Sequence, residues 1–253
     1  MSFETGTDAY ARHVGRYSAA LASALCDAAG VREGGTALDV GCGPGGLVAE
    51  LARRLGPKRV AGVEPSEPFL EVARAAVSGA DLRHAGAESL PFEDDAFDIV
   101  LSQLVVNFIP DSHRGVAEMR RVARRTVEAC VWDYAGEMTM LRAFWDAALE
   151  LDPDAPDEGR TMPFCKPDEL RALWESAGLH HVTTGELIVA ADYADFDDYW
   201  SPFPTGLAPS GAYCASLDEP AREALRLACF RRLGSPSGPF RLTARAWYVR
   251  GEV

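Results

Sequence analysis

The stretch Thr36-Ala-Leu-Asp-Val-Gly-Cys-Gly-Pro-Gly-Gly-Leu47 decides the fold, because it joins a short apolar run to a glycine-dense turn and then to a helical pattern. It predicts a β-strand, a tight loop and the first turn of an α-helix. Gly41, Gly43 and Gly46 have the spacing of a dinucleotide-binding loop, in which glycine lets the backbone lie directly against a ligand. A carboxylate, Glu64, follows about 20 residues later, where a ribose-binding acid is expected. We therefore expect a nucleotide-binding corner.

Two residues in this stretch indicate which nucleotide it binds. Pro44 removes a backbone N–H that a pyrophosphate would use, and Asp39 places a negative charge at the end of the strand. Both features disfavour a pyrophosphate and favour S-adenosylmethionine (SAM), which carries a sulfonium and an ammonium and offers two ribose hydroxyls. A nicotinamide-dependent dehydrogenase, or a turn that binds no ligand, stays open as an alternative.

Three blocks of sequence carry a family resemblance: 38–45, 63–66 and 87–100, the last reading Ala-Glu-Ser-Leu-Pro-Phe-Glu-Asp-Asp-Ala-Phe-Asp-Ile-Val. In this order and spacing they resemble the class I SAM-dependent methyltransferases, in the branch similar to the quinone-biosynthesis C-methyltransferases. The resemblance covers residues 8–134 well and the remainder in outline. It implies an α/β fold with a doubly wound, seven-stranded, mostly parallel sheet, N-terminal helices and a helical cap inserted before the last strand.

The expected SAM-binding residues of the core lie in the glycine loop and at the ends of the strands. They are Asp39, Gly41, Cys42, Gly43, Glu64, Pro65, Ala87, Glu88, Ser102 and Gln103. In the family an Asp commonly precedes the Ala-Glu pair and contacts the adenine, whereas this chain has Gly86 there. The adenine edge is therefore left to backbone groups near Ala87 or to the side chain of Glu88.

The N-terminal segment Val14-Gly-Arg-Tyr-Ser18 resembles one that contacts the methionine part of SAM in the family. Arg16 and Tyr17 are accordingly expected to bind the cofactor, although a surface charge and a packed aromatic explain them equally well. Asp8 is expected to cap a helix through Gly15, and a second helix is expected from Ser18 to Ala29.

The composition limits the partners. The 253 residues carry a formal net charge of −13, which argues against nucleic acid, because nucleic-acid binding depends on Lys and Arg. We expect a single domain over 1–253, with cover helices at 8–30, a SAM-binding core at 36–134 and a substrate cap at 191–240. Six scattered cysteines show no metal-ligand spacing, so no metal is expected.

Residues near the N-terminus lack a basic stretch followed by an apolar one, and no segment has the unbroken apolar length of a membrane span. We therefore expect a cytoplasmic protein, monomeric or homodimeric, with no membrane partner. Asp111 is expected to cap a helix running to Arg125, with the arginines between Arg120 and Arg125 at its C-terminal end.

The resemblance and the cap together predict a small-molecule methyl acceptor. We expect its pocket between the cap aromatics Tyr193, Tyr199, Trp200 and Phe203 and the loops at 107–110 and 132–134. If the acceptor must lose a proton, the candidate bases are Asp133, His13 and His113. A protein that binds SAM as a sensor without transferring a methyl group remains an alternative.

Overall fold

The computed structural model describes residues 13–253, and the expected helix from Asp8 lies largely outside them. The chain divides into two compact units. We call residues 18–132, 163–187 and 246–253 the core unit, and residues 13–17, 133–162 and 188–245 the aromatic unit. The expectation of a single domain stays a prediction.

Seven β-strands occur within the described residues. They are β1 (Ala37–Val40), β2 (Val60–Glu64), β3 (Asp81–His84), β4 (Phe97–Gln103), β5 (Ala123–Trp132), β6 (His180–Tyr193) and β7 (Phe240–Glu252). They form one sheet in the order β3-β2-β1-β4-β5-β7-β6. The pairs β1–β2, β1–β4, β2–β3 and β4–β5 are parallel, and β7 runs antiparallel to β5. The predicted doubly wound, mostly parallel sheet is confirmed.

The helices lie between and after the strands. In the described residues they are α1 (Ser18–Ala28), α2 (Gly46–Leu55), α3 (Glu67–Ala76), α4 (Ser112–Val122), α5 (Thr139–Leu151), α6 (Glu158–Thr161), α7 (Pro167–Ser176), α8 (Phe196–Trp200), α9 (Ala208–Ser216) and α10 (Glu219–Arg232). Short 3₁₀ turns occur at Val14–Tyr17, Pro57–Arg59, Val106–Phe108 and Phe203–Thr205. Among residues 13–253 we find no helix of the length and apolarity that crossing a bilayer requires.

The first strand–loop–helix unit forms as its sequence predicts. All four residues of β1 and all five of β2 are buried, because helices cover both faces of a parallel sheet and its strands read as continuous apolar runs. Gly45 precedes α2 with a φ of +98°, a left-handed conformation that glycine adopts without strain. Leu47, Val48 and Leu51 then bury one face of α2.

The C-terminal part of the predicted helix 111–125 differs. Asp111 does cap α4, accepting a hydrogen bond from the Arg114 N–H at 3.0 Å. However, α4 ends at Val122, and Arg124 and Arg125 belong to β5. Strand pairing overrides helix propensity here, since Ala123 already pairs with Phe97 and the Arg125 carbonyl accepts from the Val253 N–H. The arginines at 124 and 125 therefore do not complement a helix dipole.

The aromatic unit is built mainly from helices that pack through large rings. Phe144 of α5 stacks on Phe203 with ring centroids 4.4 Å apart, and Trp200 lies against both rings. The buried Tyr199 hydroxyl donates to the Met140 carbonyl at 3.0 Å. These contacts give the unit a core of its own, with its rings in edge-to-face and stacked geometries that stabilise aromatic pairs.

Candidate active site

The glycine loop after β1 is held by the neighbouring strand. The N–H groups of Gly41 and Cys42 both donate to the Val63 carbonyl at 2.9 Å. Gly41 has a φ of +78°, and a Cβ at this position would lie 2.6 Å from the Val105 side chain. Only glycine therefore fits here, and Val105 packs directly on the loop.

Gly43 differs from Gly41 in facing open space. Its φ is +52°, and a Cβ added there would meet no atom within 4 Å. Its N–H donates to Glu64 Oε2 at 2.9 Å. The backbone at Gly43 is thus left accessible, as a loop that lies against a ligand requires.

Glu64 is the last residue of β2 and is oriented by two backbone donors. Besides the Gly43 N–H, the Ser66 N–H donates to Oε1 at 3.0 Å. Each carboxylate oxygen can accept further hydrogen bonds, because a carboxylate has about four acceptor positions. Glu64 can therefore bind a pair of ribose hydroxyls without losing its own support.

Asp39 is a buried carboxyl in the same corner. Its side chain is 1% exposed, and neither oxygen has a partner in hydrogen-bond geometry within the described part of the chain. Burial, and next the charge of Glu64, raises the pKa of Asp39 to about 8, although the nearby Val48 N–H acts in the opposite direction. A bound cation or hydrogen-bond donor would relieve this cost.

The predicted adenine-reading segment lies beyond β3. Ala87 is buried, and the Glu88 carboxylate turns back toward Gly86, where a Cβ would lie 3.1 Å from Oε2. The Glu88 carbonyl accepts from Arg114 Nε at 2.9 Å, and the Pro65 carbonyl interacts with His84 Nε2 at 2.7 Å. These contacts fix the loop. The roles predicted for Pro65, Ala87 and Glu88 stay predictions.

Ser102 and Gln103 end β4 in different environments. The Ser102 hydroxyl is fully buried and donates to the Val40 carbonyl at 2.9 Å. Gln103 Nε2 donates to the Ser18 carbonyl at 3.2 Å, while its Oε1 is buried without a partner in the described residues. Ser102 is thus engaged within the sheet, and Gln103 keeps a hydrogen-bond acceptor for another molecule.

The loop after β4 contains a polar group to which the sequence assigned no individual role. Asn107 is 6% exposed, and its Nδ2 is buried without a partner in the described residues. The next residue, Phe108, is by contrast 57% exposed. His113, a predicted base, lies on α4, and its Nδ1 interacts with Ser176 Oγ at 3.0 Å.

Arg16 and Tyr17 belong to the aromatic unit and have partners there. The Arg16 guanidinium binds both carboxylate oxygens of Asp198, at 2.9 and 3.2 Å, and lies 4.0 Å from the Tyr193 ring centroid. The buried Tyr17 hydroxyl forms a 3.1 Å hydrogen bond with the Tyr193 hydroxyl. The cofactor roles of both residues remain predictions.

Asp133 is buried, and one of its carboxylate oxygens accepts three hydrogen bonds. Its Oδ2 accepts from the Glu137 N–H at 2.8 Å and from Arg245 Nε and NH2 at 3.1 and 2.7 Å. These three donors occupy Oδ2, and the ion pair with Arg245 fixes the orientation of the carboxylate. The geometry supports a structural role for Asp133, and the predicted catalytic role is untested.

His13 is the third predicted base. It is 2% exposed, neither ring nitrogen has a partner among the described residues, and its ring meets Phe203 edge-on at 5.0 Å. Burial, with a smaller effect from the Arg16 charge, lowers the pKa of His13 to about 4. Its imidazole is therefore neutral at pH 7 and a weaker base than a solvent-exposed histidine, and the predicted catalytic role is untested.

Comparison with known proteins identifies the central segment. Residues 38–130 match the family model described as a methyltransferase domain. A 99-residue segment is 39% identical to demethylmenaquinone methyltransferase from Staphylococcus aureus strain JH9, covering 38% of this chain and 41% of the relative. The chain thus spans less than half of the curated relatives that it matches. The resemblance drawn from the sequence motifs is confirmed over this segment.

Solved structures extend the likeness over nearly the whole fold. A putative methyltransferase from an antibiotic biosynthesis pathway of Anabaena variabilis superposes with a TM-score of 0.61 at 20% identity, covering 90% of this chain and 95% of that one. The [4+2]-cyclase SpnF gives 0.53 at 17% identity, covering 92% and 80%. At such identities the likeness establishes the class I methyltransferase fold.

Proposed function

We propose that this protein transfers a methyl group from SAM to a small-molecule acceptor. The observation that carries the proposal is Asp39, a buried carboxyl without a hydrogen-bond partner in the described residues, beside a glycine loop that leaves space at Gly43. A cationic ligand would favour the ionised form of this carboxyl and pair with it. The methyltransferase-domain match over residues 38–130 supports the same assignment.

The residues of the core unit fit SAM in three respects. Asp39 suits its positive charges, Glu64 suits the ribose hydroxyls, and Gly43 allows a close approach of the backbone. A dinucleotide fits less well, because its pyrophosphate would approach the carboxyls of Asp39 and Glu64 and would meet Pro44, which has no N–H to donate.

When bound, SAM supplies an activated methyl group on its sulfonium. The protein then has to hold the acceptor atom in line with the sulfur–carbon bond and exclude water. Orientation of this kind can contribute about 7 to 11 kcal/mol to lowering a barrier. We propose an in-line displacement, with a base needed only where the acceptor must lose a proton.

Calorimetric titration with SAM and with NAD tests the cofactor. We expect SAM to bind, and we expect NAD not to. Glu64→Ala should weaken SAM binding about tenfold or more by removing a carboxylate held in place for the ribose, and Gly43→Val should abolish it by filling the open space at the loop. The matched control is Glu67→Ala, since Glu67 is a half-exposed acid three residues further along the chain that pairs with Arg74.

Methyl transfer is then tested separately, by incubating the protein with labelled SAM and a panel of small metabolites. Labelled product supports a transferase. Tight SAM binding with no labelled product across the panel would instead support a SAM-binding sensor, and unchanged SAM affinity in folded Gly43→Val and Glu64→Ala proteins would overturn the cofactor assignment.

A further inference from the structure

The chain contains only one asparagine and one glutamine among its 253 residues, Asn107 and Gln103, and they lie four positions apart. Gln103 is the last residue of β4, and Asn107 is the middle residue of the 3₁₀ turn Val106–Phe108. Both therefore stand at the carboxyl end of a strand in the parallel sheet, where folds of this architecture bind their ligands. The chain has no other carboxamide side chain, and both of these lie at this edge of the sheet.

Asn107 is buried and Gln103 is partly exposed, but each carboxamide keeps one buried polar atom without a partner in the described residues. For Gln103 this atom is Oε1, because its Nε2 already donates to the Ser18 carbonyl. For Asn107 it is Nδ2. A buried donor or acceptor without a partner destabilises a fold, so such groups in native proteins usually meet water or a ligand. Together they offer one hydrogen-bond acceptor and one donor.

Two contacts join this turn to the glycine loop. The Val105 side chain occupies the space beside Gly41, where a Cβ would approach it to 2.6 Å. Ser18, whose carbonyl binds Gln103, lies beside Gly46, where a Cβ would be 3.9 Å from the Ser18 Cβ. The two carboxamides are thus adjacent to the corner that we propose for SAM.

The backbone between them is also unusual. Leu104 has a φ of +63°, a left-handed conformation that residues other than glycine adopt infrequently. Its N–H donates to the Cys130 carbonyl at 2.8 Å, which holds the chain in this conformation. Strained backbone of this kind occurs often at functional sites. The left-handed conformation of Leu104 changes the direction of the chain directly after Gln103.

We propose that Asn107 and Gln103 select the methyl acceptor, an inference that rests on the proposed function. Asn107 donates a hydrogen bond to an acceptor oxygen, and Gln103 accepts one from a neighbouring O–H. Phe108, exposed beside them, offers a flat apolar surface to an aromatic ring. The acceptor class that complements these groups is an aromatic compound with adjacent oxygen substituents, of the catechol type.

The test uses two probes, of which only one can donate a hydrogen bond. Both 2,3-dihydroxynaphthalene and 2-methoxynaphthalene carry an acceptor oxygen, but only the first has O–H groups. Each is titrated by calorimetry into protein saturated with S-adenosylhomocysteine, which has no methyl group to transfer. Binding is therefore measured without turnover, and the affinity for S-adenosylhomocysteine is measured on the same samples.

Asn107→Leu should weaken the binding of both probes about fivefold, because both use the donor. Gln103→Met should weaken the dihydroxy probe about fivefold and change the affinity for the methoxy probe less than twofold. Asn107→Leu should leave the affinity for S-adenosylhomocysteine within about twofold. Asn107→Asp keeps the shape of the side chain and exchanges the donor for an acceptor, so it separates the hydrogen bond from a packing effect. It should weaken the binding of both probes at least as much as Asn107→Leu does.

Thr183→Ala, an exposed substitution in the same unit, is the control and should change neither affinity. Three results would overturn the proposal. In the first, the variants keep the parent affinities for both probes, which would assign the two amides to internal water. In the second, the variants lose affinity for S-adenosylhomocysteine alone. In the third, the parent binds S-adenosylhomocysteine but neither probe. A parent that fails to bind S-adenosylhomocysteine would overturn the proposed function itself.

Discussion

The core unit and the aromatic unit differ in how a buried aspartate of each is partnered. In the core unit, Asp39, Gln103 and Asn107 keep polar atoms without partners among the described residues, and all three lie at the carboxyl edge of the sheet. In the aromatic unit, the buried carboxylate of Asp133 is bound by Arg245 and Arg16 pairs with Asp198, whereas the buried ring nitrogens of His13 have no partner in the described residues. Because an unpaired buried carboxyl is costly to a fold, the contrast between Asp39 and Asp133 distinguishes a carboxyl that suits a ligand from one that stabilises the protein.

The largest expected effect concerns Asp39. Its pKa is raised from 3.8 in the unfolded chain to about 8 in the folded protein, so the folded state binds more protons between these values. Its contribution to stability is fully present below about pH 4 and is lost as the pH rises through 8, with a slope of about 1.4 kcal/mol per pH unit. Urea unfolding between pH 5 and 8 should show this fall, and Asp39→Asn should remove it.

Addition of SAM sharpens the same prediction. A cationic ligand beside Asp39 favours the carboxylate and lowers its pKa. SAM binding should therefore release a proton near pH 7 and become tighter between pH 6 and 8 in the parent, with no such trend in Asp39→Asn. An affinity for SAM that is independent of pH in the parent would contradict a contact between this carboxyl and the ligand.

The second effect concerns the paired carboxylate of the aromatic unit. Asp133→Ala leaves Arg245 without this partner, and removing one member of a buried pair costs about 3 to 5 kcal/mol. The control is Glu137→Ala, since Glu137 is exposed, binds Arg245 at 3.0 Å and should contribute less than about 1 kcal/mol. Chemical denaturation measures both. A loss under 1 kcal/mol for Asp133→Ala, together with abolished methyl transfer, would restore the predicted catalytic role.

The partner of Asp133 also marks the limit of what the sequence predicts. The strand, glycine loop and helix from Thr36 onward, and the acid at Glu64, follow from local patterns in which each residue constrains its neighbours. Arg245 lies 112 positions from Asp133, so nothing local in the sequence separates a general base from a member of an ion pair. Arg124 and Arg125 extend a helical pattern, and only the pairing of their neighbours Ala123 and Thr126 with β4 makes this segment a strand.

Helix α5 is hard to predict from sequence for a different reason. Leu141, Phe144, Trp145 and Ala148 have helical spacing and are all buried. The helix begins after Met138, which provides no side-chain cap, so the usual polar signal of a helix start is absent. Conversely, the composition alone carries a signal, because the only two carboxamide side chains of the chain stand at one strand end.

The third prediction contrasts His13 with Asp39. The pKa of His13 is lowered from 6.5 to about 4, so the unfolded chain binds more protons between these values. The stability that His13 contributes is present above pH 6.5 and is lost as the pH falls through 4, again at about 1.4 kcal/mol per unit at most. His13→Gln should flatten the acid side of the stability profile and leave the slope above pH 6.5 unchanged. If the His13→Gln variant loses stability at acid pH as steeply as the parent does, His13 is solvated.

The smallest effect decides between two roles for Arg16. The guanidinium binds Asp198, donates to the Asp192 carbonyl at 3.1 Å and lies over Tyr193, so Arg16→Ala should lower the free energy of unfolding by about 1 to 2 kcal/mol. If Arg16 serves only the aromatic unit, Asp198→Ala should destabilise similarly and neither variant should change SAM affinity. If Arg16 also binds the SAM carboxylate, Arg16→Ala should weaken SAM binding, Arg16→Lys should restore it in part, and Asp198→Ala should preserve or tighten it, because it removes a competing carboxylate. Calorimetry at one temperature where all variants are folded separates these patterns.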